Sequence, residues 1–218
     1  MTKTTKKVLV LMDVDTQEDF MLAHGAFGKL RGIASVERII PNLKRIFDYA
    51  AEHRLTTILA TDAHVPNDPE FSNYGFPAHC VVGTSGFLRI PETDLIPSVV
   101  VPNKPDAFTS PLPEAERLVV MVHKQHFAVG TNPNFSKVIE ALGPSHVFAT
   151  GVASNGCVKQ SILSLLDLGV SVSIVVDAVG PDIHEEPGRA AIEELKLLGV
   201  TAFTTDEVCS GILESQCV

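Results

Sequence analysis

The strongest constraint on this chain is a recurring pattern of short, unbroken apolar runs rich in β-branched residues, separated by stretches with helical periodicity. The runs are VLVLM at Val8–Met12, TTILAT at Thr56–Thr61, LVVMVH at Leu118–His123, HVFATG at His146–Gly151, VSIVV at Val172–Val176 and a weaker VTAF at Val200–Phe203. They do not alternate apolar with polar residues, so they suit parallel strands buried on both faces. Between the first two runs, Val36, Ile39, Ile40, Leu43, Phe47, Ala50 and Ala51 keep a 3.6-residue period. This predicts a helix from about Ser35 to His53, with Ser35 as N-cap and Pro41 as a kink or restart. Further helices are predicted after Asn134 up to Gly143, from Cys157 to Gly169 and from Pro187 to Gly199. Thr204-x-x-Glu207 reads as a capping box for a short last one. Strands alternating with helices predict an α/β fold, a doubly wound (Rossmann-like), mostly parallel sheet of about six strands with helices on both faces. No internal repeat or composition break divides the 218 residues, so 1–218 reads as a single domain.

One long stretch interrupts the alternation. Nine of the 14 prolines lie between Asp62 and Arg117, which predicts a long insertion at about 62–117, poor in regular structure. Insertions of this length in compact domains are usually functional. The formal charge of −9 argues against a nucleic-acid or anionic-membrane partner. The four cysteines, Cys80, Cys157, Cys209 and Cys217, show no C-x-x-C pair. The N-terminal apolar run is too short for a signal-peptide core, so the expectation is a cytoplasmic protein with reduced thiols.

In open α/β sheets, ligands bind beyond the carboxyl ends of the strands. Asp13 and Asp15 follow the first run, Asp62 and His64 the second, Lys124 the third, the segment ASNGC ending at Cys157 the fourth and Asp177 the fifth. Cys157 stands where a helix should begin, and unpaired N–H groups there favour a thiolate; its bland reading is a small buried hydrophobe. A carboxylate after the first strand can take the thiol proton. Asp15 is the first choice, although Asp13 or Asp19 fills the part equally well on sequence grounds. Lys124 ends a buried apolar run and supplies a cation. Asp62-x-His64 with Glu70 and His79 offers mixed oxygen and nitrogen ligands for a divalent metal, against the alternative of a solvated loop with incidental histidines. No G-x-G-x-x-G or G-x-x-x-x-G-K-[ST] pattern occurs, so no nucleotide cofactor is expected.

Three blocks carry a family resemblance: DTQEDF at Asp15–Phe20, ATDAHVPNDPEFSNYGFPAHCVVGTSG at Ala60–Gly86, and TGVASNGCVKQS at Thr150–Ser161. Together with Lys124 they make the chain resemble the isochorismatase-like cysteine hydrolases, and among them most closely the nicotinamidases. The resemblance implies a catalytic set of Asp15, Lys124 and Cys157. It implies an oxyanion hole from the N–H groups of Ala153 and Cys157, with a cis peptide at Val152–Ala153. Phe20 and Phe76 would wall the substrate ring. Asp62, His64 and His79 would hold one divalent metal ion, zinc first with iron or manganese as alternatives, and Glu70 stands where many members have another histidine. The sequence departs from the family pattern at Glu18, at Ser154-Asn155 and in having no tryptophan.

The reading is a hydrolase of linear amide C–N bonds acting on a small planar amide, nicotinamide to nicotinate plus ammonia, through a thioester. The alternatives are a metal-independent amidase or carbamoyl/ureido hydrolase of the same superfamily and, from another class, a non-catalytic binding protein that keeps the fold. A homo-oligomer is expected by resemblance. Residues 87–117 have no assigned role.

Overall fold

The computed structural model describes residues 8–31, 34–181 and 185–212; Cys217 and His184 lie outside the described residues. Seven strands, β1 (Leu9–Val14), β2 (Thr56–Asp62), β3 (Val99–Val101), β4 (Val119–Lys124), β5 (His146–Val152), β6 (Val172–Gly180) and β7 (Thr201–Phe203), form one sheet in the order β3-β4-β2-β1-β5-β6-β7. Every adjacent pair is parallel. The expected six runs all become strands. The seventh, β3, lies inside the proline-rich insertion between Pro97 and Pro102, where three valines are too few to show a pattern. The sheet therefore has seven strands rather than about six, and the insertion contributes one edge of it.

The helices are α1 (Glu18–Met21), α2 (Ala26–Arg31), α3 (Ala34–Glu37), α4 (Ile40–Glu52), α5 (Pro69–Tyr74), α6 (Phe135–Leu142), α7 (Cys157–Asp167), α8 (Gly188–Leu197) and α9 (Thr205–Cys209). Pro41 marks a restart: the expected helix from Ser35 is two pieces, and α4 begins with proline in its first turn, where the missing N–H costs nothing. Ser35 lies within α3 instead of before it. The capping box of α9 is formed, with Thr204 accepting from the Glu207 N–H.

Strand parity divides the core. Met12, Ile58, Ala60, Val120 and Val122 face one side, where α6, α7 and α8 pack through Phe135, Ile162 and Ile192. Leu11, Leu59 and Phe148 face the other, against Leu43 and Phe47 of α4 and Val208 of α9. This is the doubly wound arrangement. Phe135 and Phe148 are buried on opposite faces, and truncating either to Ala would cost about 3–5 kcal/mol through lost contacts and a residual cavity. The chain runs from β1 to one side for β2, β4 and β3, then returns past β1 for β5, β6 and β7. The crevice at that reversal, beyond the carboxyl ends of β1, β2, β4 and β5, is where such a sheet binds ligands.

Candidate active site

Four strand ends bring Asp15, Asp62, Lys124 and Cys157 together. Asp62 follows Ile58 and Ala60 at alternate positions of β2, and Lys124 follows Val120 and Val122 of β4, so both side chains leave the sheet on the α6–α7 face. Asp15 follows the end of β1 in the left-handed region, φ 54°. Aspartate tolerates this conformation better than most residues. The turn takes Asp15 out of the alternation that would have placed it beside Asp13 on the α4 face. Lys124, fully buried, lies 2.7 Å from Asp15 Oδ2 and also bonds Asp62 Oδ1. Asp15 Oδ1 accepts from the Asp62 N–H at 3.1 Å. Carboxylate oxygens of Asp15 and Asp62 and the Cys157 sulfur lie within 4.8 Å of one another.

The electrostatics follow from one cation shared by two carboxylates away from water. Burial and the neighbouring Asp62 charge push Asp15 up to about 7, despite the opposing pull of Lys124. Burial also disfavours the ionised form of Asp62, but Lys124 and His64 outweigh it and hold that carboxyl below its ordinary value. For Lys124 the two carboxylates likewise outweigh burial and keep the ammonium charged. Burial pushes the Cys157 thiol well above its ordinary value, with Lys124 pulling the other way and the two carboxylates adding to the rise. The position at the start of α7 does not make the thiol acidic by itself, and a carboxylate oxygen of Asp15 lies within 4.8 Å of its sulfur.

Asp13 and Asp19, the other two aspartates of the same segment, are committed elsewhere. Asp13 accepts from Thr16 Oγ1 at 2.6 Å and Thr150 Oγ1 at 2.7 Å, and pairs with Arg89. Asp19 accepts from the N–H groups of Ala26 and Cys80, both at 2.8 Å. Asp177 accepts from the N–H and hydroxyl of Thr205. Geometry thus separates Asp15 from candidates that sequence reading left level.

Above Cys157 opens a cavity of about 210 Å³ lined by Phe20, Phe27, Phe76 and Phe127 together with Asp62, Glu70, His79, Ala153 and Pro181. The Val152–Ala153 peptide is cis, and both Ala153 and Cys157 border the cavity. Phe20 and Phe76 both line this cavity. Phe27 and Phe127 were missed; Phe27 packs 5.1 Å from Phe20 and 5.5 Å from Phe76, and Phe127 lies 6.2 Å from Phe76. Neither falls in a recognisable motif, and isolated phenylalanines read as core.

Asp62, His64 and His79 each offer a ligand atom, all within 4.8 Å of one another. His79 Nδ1 is 2.8 Å from the Pro77 carbonyl, and His64 Nδ1 lies 3.1 Å from Asp68 Oδ2. Both rings thereby turn Nε2 toward Asp62 Oδ2, at 3.9 and 3.7 Å. Oxygen acceptors on the far ring nitrogen are the usual support of metal-binding histidines. Neither buried ring nitrogen of His64 makes a directed hydrogen bond. Burial lowers His79, which favours the neutral, ligating imidazole. The residues present fit a divalent cation. Glu70 Oε2 reaches His64 Nε2 at 3.2 Å, yet Glu70 is not in the group that closes within 4.8 Å.

Among curated proteins, the chain is 27% identical over 214 residues to the nicotinamidase of Escherichia coli (strain K12), covering 89% of this chain and 93% of that one. Among solved structures it is similar to an isochorismatase-like hydrolase from Alkaliphilus metalliredigens, with TM-score 0.73, 21% identity and coverage of 94% and 98% of the two chains. It is also similar to the pyrazinamidase of Pyrococcus horikoshii in complex with zinc, with TM-score 0.68, 25% identity and coverage of 90% and 98%. The family model described as the isochorismatase domain matches residues 8–207, and the chain therefore belongs to the isochorismatase family.

Proposed function

We propose that this protein is a cysteine-dependent amidohydrolase acting on the carboxamide of a small planar molecule, with nicotinamide to nicotinate and ammonia as the leading reaction. One observation carries the reading: a thiol lies beside two carboxylates that share one buried lysine, and the thiol borders a cavity walled by four phenylalanines. Four phenylalanines suit a flat ring, and Cys157 borders the same cavity, where an exocyclic carboxamide would meet the sulfur.

In this scheme Asp15 takes the Cys157 proton, and the thiolate attacks the carboxamide carbon. The N–H groups of Ala153 and Cys157 receive the developing oxyanion, where each such donor is worth about 2.7–4 kcal/mol in comparable sites. Asp15 then returns its proton to the nitrogen as the C–N bond breaks, releasing ammonia and leaving a thioester. Water, deprotonated by Asp15, cleaves the thioester to give the acid and restore the thiol. Lys124 keeps Asp15 anchored and offsets the negative charge through both halves. Phe20 and Phe76 flank the ring. Asp62, His64 and His79 would hold one divalent cation, zinc first, with Glu70 beside them. When bound, such an ion supplies a Lewis acid for a ring nitrogen and so orients the substrate. Replacing Asp68 with Asn should weaken cation binding about 10–100-fold in chelator competition.

No described helix is long and apolar enough to cross a membrane. A cytoplasmic homo-oligomer belongs to the same proposal and is checked by light scattering. The function is tested by ammonia release across nicotinamide, pyrazinamide, carbamoyl and ureido substrates. Turnover of the two pyridine- and pyrazine-type amides above the others supports the reading, and turnover confined to carbamoyl or ureido compounds overturns it.

A further inference from the structure

A second buried polar cluster lies across the sheet from the thiol, and the scheme above does not use it. Asp13 follows Leu11 on β1 and Thr61 follows Leu59 on β2, so both face the α4 side of the carboxyl edge. Arg89, from the proline-rich insertion, is buried against them. Its guanidinium bonds Asp13 Oδ2 and Thr16 Oγ1, reaches Thr61 Oγ1 at 3.3 Å and donates to the Thr93 carbonyl at 3.2 Å. Thr150 of β5 completes the cluster through Asp13. A planar fork is suited to contacts in several directions at once, which a lysine could not reproduce.

Each of these contacts bears on the turn that carries Asp15. Thr16, the next residue, is held through its hydroxyl by Asp13 and Thr93 and through its carbonyl by the Ile90 N–H at 3.0 Å. Gln17 pairs with Arg89 in an isolated antiparallel bridge and clasps Asp62 through both its N–H, at 2.9 Å, and its carbonyl, at 2.9 Å. The left-handed backbone at Asp15 is thus bounded by a β1 residue and a Thr16-Gln17 pair that are both tied to Arg89.

We propose that Arg89 is a positioning residue: through Asp13 and Thr16 it holds the Asp15 turn so that the carboxylate crosses the sheet edge to Lys124 and Cys157. The inference rests on the reading of Asp15 as the base for the thiol, but not on which amide is hydrolysed. A merely structural role would move stability and leave kcat and the reactivity of Cys157 alone, so the test removes both charges of the pair and reads all three. Replacing a buried ion pair by apolar residues is often neutral for stability, whereas removing one partner is not. The double variant D13V/R89M is therefore compared with the parent and with R89K, which keeps the charge but loses the fork.

Folding is followed by thermal melting, and the Cys157 alkylation rate with iodoacetamide by peptide mass spectrometry; kcat and KM are measured on the best amide found. The expected result for D13V/R89M is a folded protein with Cys157 alkylation slowed about tenfold and kcat reduced about 100-fold, the size expected of a displaced catalytic group. KM should stay within about twofold, since the cavity wall is untouched. R89K should show about tenfold lower kcat at parent KM. Parent kcat and parent alkylation rate in either folded variant overturn the proposal. If no amide is turned over by the parent, the functional reading fails, while slowed alkylation in the variants still supports the positioning role.

Discussion

Asp13 and Asp15 are separated by one residue, and both are fully buried, yet their surroundings are opposite. On the α4 face Asp13 is surrounded by donors, two hydroxyls and a guanidinium. On the α7 face Asp15 shares its lysine with a second carboxylate and sits beside a thiol, with burial and Asp62 pushing it up to about 7. Burial alone therefore does not mark a reactive group. A satisfied charge becomes part of the frame, and a charge in competition with a neighbour becomes a proton carrier near neutral pH. The two faces meet at one backbone turn, the left-handed Asp15.

The largest effect is expected at Lys124, which bonds Asp15 and not Asp13. Lys124→Met strands two carboxylates and should destabilise the fold by about 3–5 kcal/mol in urea unfolding. It should also reduce kcat by at least about 10³-fold, because no cation then balances the charges of the reaction. A Lys124→Met protein as stable and active as the parent would mean that the two sites do not differ as argued.

The next effect is in pH. Asp15 must be ionised to accept the thiol proton, and its carboxyl is raised to about 7. As pH falls through that value the base is protonated, so kcat/KM should drop about tenfold per pH unit on the acid side. A profile flat from neutrality down to the ordinary carboxylate range would remove Asp15 from this role. The smallest effect belongs to the frame. Thr150→Val deletes one of the hydroxyl donors to Asp13 and should cost about 1.5–3 kcal/mol of stability, the range for hydrogen bonds to charged groups. Calorimetric melting measures it, and an unchanged melting temperature would show that Asp13 is not dependent on its donors.

Much of this site is legible along the chain because parallel strands present their polar residues in order at one edge. Lys124 at the end of an apolar run, Cys157 at a helix start and Asp62-x-His64 after a strand could each be found that way. What the pattern could not decide was which aspartate of the first segment matters. Strict alternation pairs Asp13 with Asp15, and only the backbone turn separates them. The insertion was harder still. Helix α5 carries a visible start signal, Asp68 capping Glu70 with Pro69 in the first turn, but it sits in a stretch read as irregular. Strand β3 is too short for periodicity. Arg89 stands in no motif, and its role depends on contacts with residues 73 to 76 positions away. Residues 87–117, without a role in sequence terms, thus supply an edge strand and the arginine of the frame.

In the proposed reaction Cys157 carries a covalent acyl intermediate. Acid quenching of the protein during turnover of nicotinamide, followed by peptide mass spectrometry, tests it most directly. The expected result is a nicotinoyl group on the peptide bearing Cys157, absent from Cys157→Ala, with ammonia release from that variant lost by at least about 10⁴-fold. Ammonia release by Cys157→Ala at the parent rate, or an acyl group carried by another residue, would contradict it.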